Sequence, residues 1–179
     1  MSSAHGLALL ALFAAPVKAA GASMAAPAPA DTAALEFHGF RAGAHLAELD
    51  ALVRSLDGRL HCDGARADRR VSECRTSIDD PALGGPVNLW ISTVDSIASV
   101  ITISGGAAGA RLDHWRDQIE RRYGRVGASI QGSQSMMQWV RAGRMLRLTW
   151  RVERGGRVAS VSLVDGRVLD RWGRGRGRG

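Results

Sequence analysis

The chain has 179 residues, 45% of them hydrophobic, with 24 basic and 17 acidic side chains and a formal net charge of +7. With a leader-like N-terminus set aside, about 150 residues remain, enough for one domain with a packed core or two small packed subdomains and too few for a large multidomain enzyme. The charge does not define a nucleic-acid binder. Lys18, Arg171, Arg174, Arg176 and Arg178 make up five of the 24 basic residues, so 31–170 sets 19 arginines against 17 acids and is close to neutral.

Taken in chain order, Leu7 to Ala15 is an apolar run, followed by Pro16 and by Ala-x-Ala sites at Ala20 to Ala22 and Ala28 to Ala30. The run is much shorter than the roughly 20 residues of a spanning helix, which reads as a signal peptide and linker over 1–30. Only the terminal amine and His5 precede it as positive groups. The expectation is a periplasmic or secreted protein that does not span the membrane.

Leu35 to Phe40 is a short strand or apolar lead-in. Leu46, Leu49, Leu52, Val53 and Leu56 recur at spacings of three and four, which predicts a helix that Gly58 stops. Leu60 to Asp63 and Val71 to Ile78 are strand candidates that carry Cys62 and Cys74. In an oxidising compartment two cysteines pair, and a loop this short is worth about 3 kcal/mol in the chain-entropy account. Val87 to Val94 and Ile97 to Ser104 read as a hairpin turning at Asp95-Ser96.

The second half repeats this order. Leu112, Trp115, Ile119 and Tyr123 form a helical stripe that ends at Gly124. Strands follow at Met136 to Arg141, Arg144 to Glu153 and Arg157 to Val164, with Ala142-Gly143 and Gly155-Gly156 as hairpin loops. The predicted fold class is α+β, as two tandem helix-plus-antiparallel-meander units over about 35–105 and 106–170, helices packed on the sheet. Residues 171–179, rich in Arg and Gly, read as a disordered tail.

Phe40-Arg-Ala-Gly43 before a helix, Gly58 after it and Cys62 with Cys74 in the next strands follow an order that resembles small exported α+β modules. These are the outer-membrane assembly protein BamE and the tandem repeats of β-lactamase inhibitor protein. The resemblance spans Phe37 to Gly166 at the level of element order and implies binding rather than catalysis. BamE-type proteins carry an anchoring cysteine that this chain lacks, and no functional residue is carried over.

The residues give no catalytic centre, metal site or cofactor site. His38, His45, His61 and His114 lie in neither a nucleophile-elbow nor a His-Glu-x-x-His pattern. Asp79-Asp80 before Pro81 reads as a turn. Gly105-Gly106-Ala-Ala-Gly109 almost fits a dinucleotide fingerprint, but Ser104 stands where the first Gly belongs. Arg141, Arg144, Arg147 and Arg151 fall on neighbouring strands, where an exposed face could hold an acidic partner. The expected contact residues are Trp139, Arg147, Trp150 and Arg151. The expected function is a non-enzymatic binding or envelope-accessory module whose partner is an envelope protein or acidic surface. The alternatives are a small periplasmic hydrolase using His61 with a nearby Ser, and a nucleic-acid or anionic-surface binder through the Arg-Gly tail.

Overall fold

The computed structural model describes residues 34–106, 109–153 and 156–176. The expected signal peptide lies outside the described residues, as do 177–179 of the expected tail. The chain enters through a small hairpin, β1 (Glu36–Phe37) and β2 (Phe40–Arg41), turning at His38 and Gly39 with φ of 49° and 81°. Two successive left-handed residues give the primed turn whose twist suits paired strands. Phe37 and Phe40 are buried, and the Phe37 ring meets Trp115 edge-on at 5.4 Å.

Helix α1 (Leu46–Ser55) buries Leu49 and Val53, as its apolar spacing requires. Its stop differs in detail from the expectation. Asp57, with φ of 57°, takes the left-handed position, and the Gly58 amide donates to the Val53 carbonyl at 2.9 Å. Gly58 is needed for close approach instead, since a Cβ there would fall 2.8 Å from Val53 Cγ1.

Four strands follow: β3 (His61–Gly64), β4 (Val71–Asp80), β5 (Gly85–Val94) and β6 (Ile97–Gly106). Cys62 and Cys74 face each other across β3 and β4 and are joined by a disulfide. A 3-10 turn at Pro81–Leu83 separates β4 from β5, and Asp80, which with Asp79 closes β4 rather than lying within the turn, caps it through its carboxylate, accepting from the Ala82 amide at 2.9 Å. Asp95 and Ser96, both with positive φ, turn β5 into β6.

Helix α2 (Gly109–Tyr123) precedes β7 (Ser129–Gln131), β8 (Gln134–Arg141), β9 (Arg144–Glu153) and β10 (Gly156–Asp165). Gly124, with φ of 89°, donates its amide to the Glu120 carbonyl and ends α2 as predicted. All eight long-sheet strands join one antiparallel sheet in the order β3-β4-β5-β6-β10-β9-β8-β7. The seam is β6 against β10, where Ser104 opposes Ser160 and Thr102 opposes Ser162. The fold is α+β.

One face of this sheet is dry. Leu89, Ile91, Ile101, Ile103, Leu146, Leu148, Val161 and Leu163 form one core cluster with Leu49 and Val53 of α1 and with Leu112, Trp115 and Ile119 of α2. Each such side chain contributes about 1.5–3 kcal/mol by leaving water. The buried indole N–H of Trp115 donates to the Leu83 carbonyl at 3.1 Å, which removes the cost of an unpaired donor.

The C-terminal segment corrects the expected tail. Gly166–Arg176 is a third helix, α3, which packs along β6, β5 and β9, so residues 171–176 are ordered as helix. Val168 is buried, and the Trp172 indole N–H donates to Asp68 Oδ2 at 2.8 Å, 104 residues away in the chain. The base of α3 is fastened by Asp165, which is 1% exposed. Arg144 Nε donates to Asp165 Oδ2 at 3.0 Å, Arg167 Nη2 to the same oxygen at 2.8 Å, and the Arg167 amide to Oδ1 at 3.0 Å. Burial pushes the Asp165 carboxyl up, but hydrogen bonds and charge from Arg167 and Arg144 outweigh it and hold the group below the usual carboxylate range. Gly43 lies against this group: a Cβ at its φ of 89° would sit 2.5 Å from Asp165 Oδ2.

Candidate functional site

Strand alternation assigns every other residue of the sheet to the face turned away from α1 and α2. Two rows cross that face. In register, Arg75, Trp90, Thr102, Ser162, Arg147 and Gln138 stand side by side on six successive strands. Next to them run Ser77, Asn88, Ser104, Ser160, Thr149 and Met136. The face is therefore mostly hydroxyl and amide, with one aromatic ring near its middle.

Several of these groups hold one another in place. Thr102 Oγ1 and Ser162 Oγ are 3.2 Å apart across the seam, Thr149 Oγ1 and Ser160 Oγ 2.7 Å, and Ser77 Oγ donates to Asn88 Oδ1 at 2.9 Å. Arg147 donates from Nε and Nη2 to Gln138 Oε1 at 3.1 and 2.8 Å. Arg75 pairs with Glu73 at 2.8 Å and Arg151 with Glu153 at 2.6 Å, so much of the charge here is balanced locally.

Trp90, like Trp150, differs from the other three indoles. Those of Trp115, Trp139 and Trp172 each donate to a protein oxygen. The half-buried Trp90 has no such partner, and its N–H reaches solvent. It borders a depression of about 570 Å³ that His61, Arg75, Ser77, Asn88 and Ser104 also line. A second depression of about 210 Å³ adjoins it through Ser104 and is lined by Thr102, Gln134, Thr149, Trp150, Arg151 and Ser160.

The four expected contact residues do not form one surface. Arg147 and Arg151 lie on the polar face. Trp139 is 3% exposed on the helix-covered side, its N–H bound to the Gly124 carbonyl at 2.7 Å, because Met137 and Trp139 alternate inward while Gln138 points out. Trp150 is half-buried and packs against the same core, opposite Ala159 and Ser135. The expected arginine cluster also separates. Arg144 is committed to Asp165, and Arg141 donates to the Tyr123 carbonyl at 2.9 Å with its guanidinium 5.3 Å from the Tyr123 ring centroid. Sequence reasoning did not single out Trp90, although the alternation of Val87, Leu89 and Ile91 marks it as outward.

The remaining clusters are internally satisfied. His38 Nε2 lies 2.8 Å from Gln118 Oε1, and Gln118 Nε2 lies 3.0 Å from His114 Nε2, at a depression of about 280 Å³. Beside them Tyr123 Oη accepts from the Glu36 amide and donates to the Glu36 carbonyl, both at 2.8 Å. His61 is exposed on β3 opposite Arg75, while Ser77, the nearest serine on β4 that shares its depression, gives its proton to Asn88. Gly105 is a close-approach glycine: a Cβ there would fall 2.6 Å from Arg111 Nη1, and Arg111 donates to the Gly84, Pro86 and Gly106 carbonyls. Residues 107–108 of the Gly-rich segment lie outside the described residues. Among the described residues there is no group of three or more His, Cys, Asp and Glu that could hold a metal ion, and no helix long and apolar enough to cross a membrane.

Compared with known protein families, curated proteins and solved structures, the chain matches none.

Proposed function

We propose that this is an exported, non-enzymatic binding module, periplasmic or secreted, whose polar sheet face is the contact surface. The observation that carries this reading is the asymmetry of the sheet. One face is sealed by α1 and α2, and the other presents an open row of hydroxyls, amides, Arg147 and an unpartnered Trp90. A few convergent polar groups around one aromatic ring are the usual makings of a recognition surface. The disulfide between Cys62 and Cys74 supports export, since such bonds persist in oxidising compartments.

The element order also supports a reading as two helix-plus-meander units, α1 with β3 to β6 and α2 with β7 to β10, meeting at the β6 and β10 seam. In that arrangement Trp90 and Arg147 flank the seam symmetrically, one strand beyond Thr102 and Ser162. This is the arrangement that the resemblance to BamE and β-lactamase inhibitor protein implies, and with it binding rather than catalysis.

The test is retention of the purified, disulfide-bonded chain on the envelope fraction of the producing cells. Ser160→Arg, at the centre of the open face, abolishes retention, whereas Arg121→Glu on the exposed side of α2 leaves it unchanged. Equal retention of both variants would overturn the assignment of the surface.

A further inference from the structure

We infer that the ligand of the open face is an extended glycan strand of low charge, seated across the sheet with one sugar ring stacked on Trp90. The inference rests on the reading of this face as the contact surface and names the class of molecule it takes. Three observations carry it.

The first is the chemistry of the row. From Arg75 through Trp90, Thr102, Ser162 and Arg147 to Gln138, each position offers either a hydrogen-bonding group or the flat face of an indole. A sugar chain has the same composition, with hydroxyls around the rim of each ring and apolar C–H faces above and below it. Hydroxyl and amide side chains both donate and accept, so they match hydroxyl groups in either orientation. A protein partner would ask for a cluster of buried aromatic and aliphatic anchors, and the two rows hold one aromatic residue.

The second is charge. Arg75 and Arg151 are paired with Glu73 and Glu153, and Arg147 is held by the neutral Gln138. With two of its three arginines neutralised locally the face has only a weak field to steer a polyanion, and a chain of low charge loses least by desolvation there.

The third is shape and length. Trp90 stands three strand steps from Arg147, roughly 14 Å at the usual strand spacing. The two depressions that meet at Ser104, about 570 and 210 Å³ in volume, follow the neighbouring row, from Ser77 and Asn88 through Ser104 to Ser160 and Thr149. The larger accommodates the sugar over Trp90, and its free indole N–H provides a directed donor to a ring or hydroxyl oxygen. The smaller, lined by Thr149, Ser160 and Gln134, takes the next part of the chain.

The experiment is titration of the full disulfide-bonded chain with chitohexaose and with cellohexaose, followed by calorimetry and by Trp fluorescence. The expected result is binding of at least one hexasaccharide, weakened tenfold or more in Trp90→Ala and severalfold in Thr102→Val. The corresponding disaccharide binds more weakly, and Arg121→Glu is unchanged. Thermal unfolding of each variant checks its fold, and Trp90→Leu, which keeps apolar volume without the stacking plane, reproduces the loss if Trp90→Ala proves unstable. Absence of binding by both hexasaccharides, with Ser160→Arg still abolishing envelope retention, overturns the glycan inference, keeps the surface and points to a protein partner. Retention unaffected by Ser160→Arg overturns both.

Discussion

On β5, Val87, Leu89 and Ile91 are buried beneath the helices while Asn88, Trp90 and Ser92 point the other way. On β9, Leu146 and Leu148 go under while Arg147 sits outside, bonded to Gln138. The same strands thus build a dry face and a wet one from alternate residues. Of the two most instructive tryptophans, Trp115 is fully buried with its N–H satisfied, and Trp90 is half-buried with its N–H free. The comparison teaches that the dry face carries the stability and leaves the other face free for the proposed contact, so substitutions on the two faces should have different readouts.

The largest effects belong to the dry face and its anchors. Trp115→Ala costs about 3–5 kcal/mol by removing a large side chain from the core, measured by denaturant unfolding. Trp90→Ala costs far less, and equal losses at the two positions would break the comparison. Asp165→Asn leaves Arg144 buried without its counter-charge and costs on the order of 3–5 kcal/mol. The acid limb of the stability profile sharpens the point. Because the folded Asp165 carboxyl is held low, the stability it supplies is complete above the unfolded value of about 3.9 and is lost as pH falls through the folded value. Asp95, also lowered through its hydrogen bonds with Arg70, acts in the same direction from an exposed position. Stability of the parent chain therefore falls below about pH 4, and Asp165→Asn shows a shallower fall.

Reduction of the Cys62–Cys74 disulfide costs about 3 kcal/mol, read as a drop in the unfolding midpoint with a reductant present. On the wet face the effects on folding are small. Thr149→Ala, which breaks a 2.7 Å bond to Ser160, costs about 1 kcal/mol. Arg147→Glu changes stability by no more than about 0.5 kcal/mol and yet weakens retention on the envelope fraction.

Much of the dry face was legible. The three- and four-residue spacing of Leu46, Leu49 and Val53, and of Leu112, Trp115 and Ile119, predicted α1 and α2, and β-branched runs with Asp95-Ser96 and Ala142-Gly143 turns predicted the main hairpins. The wet face was harder because alternation is ambiguous where both sides carry apolar residues. On β8, Met136 and Val140 face one way and Met137 and Trp139 the other, so the sequence did not say which tryptophan was inside. On β9 the apolar alternation outruns the core: Leu148 is buried, Trp150 half-buried and Val152 75% exposed. Helix α3 was missed because a Gly-Arg sequence has poor helix propensity, and what orders it is tertiary, through Val168, the Trp172 bond to Asp68 and the Asp165 anchor. The three-residue β7 was too short to leave a periodic signal.

The central claim is that binding takes place on the open face, and side-chain footprinting tests it without altering the chain. The protein is exposed to hydroxyl radicals alone and while bound to the envelope fraction, and oxidation is compared between Trp90, Met136 and Met145 on the open face and the exposed His114 of α2 on the helix-covered side. Protection confined to Trp90 and the two methionines is the predicted result. Protection of His114 with Trp90 still oxidised at its free rate would place the contact on the wrong side of the sheet and contradict the account.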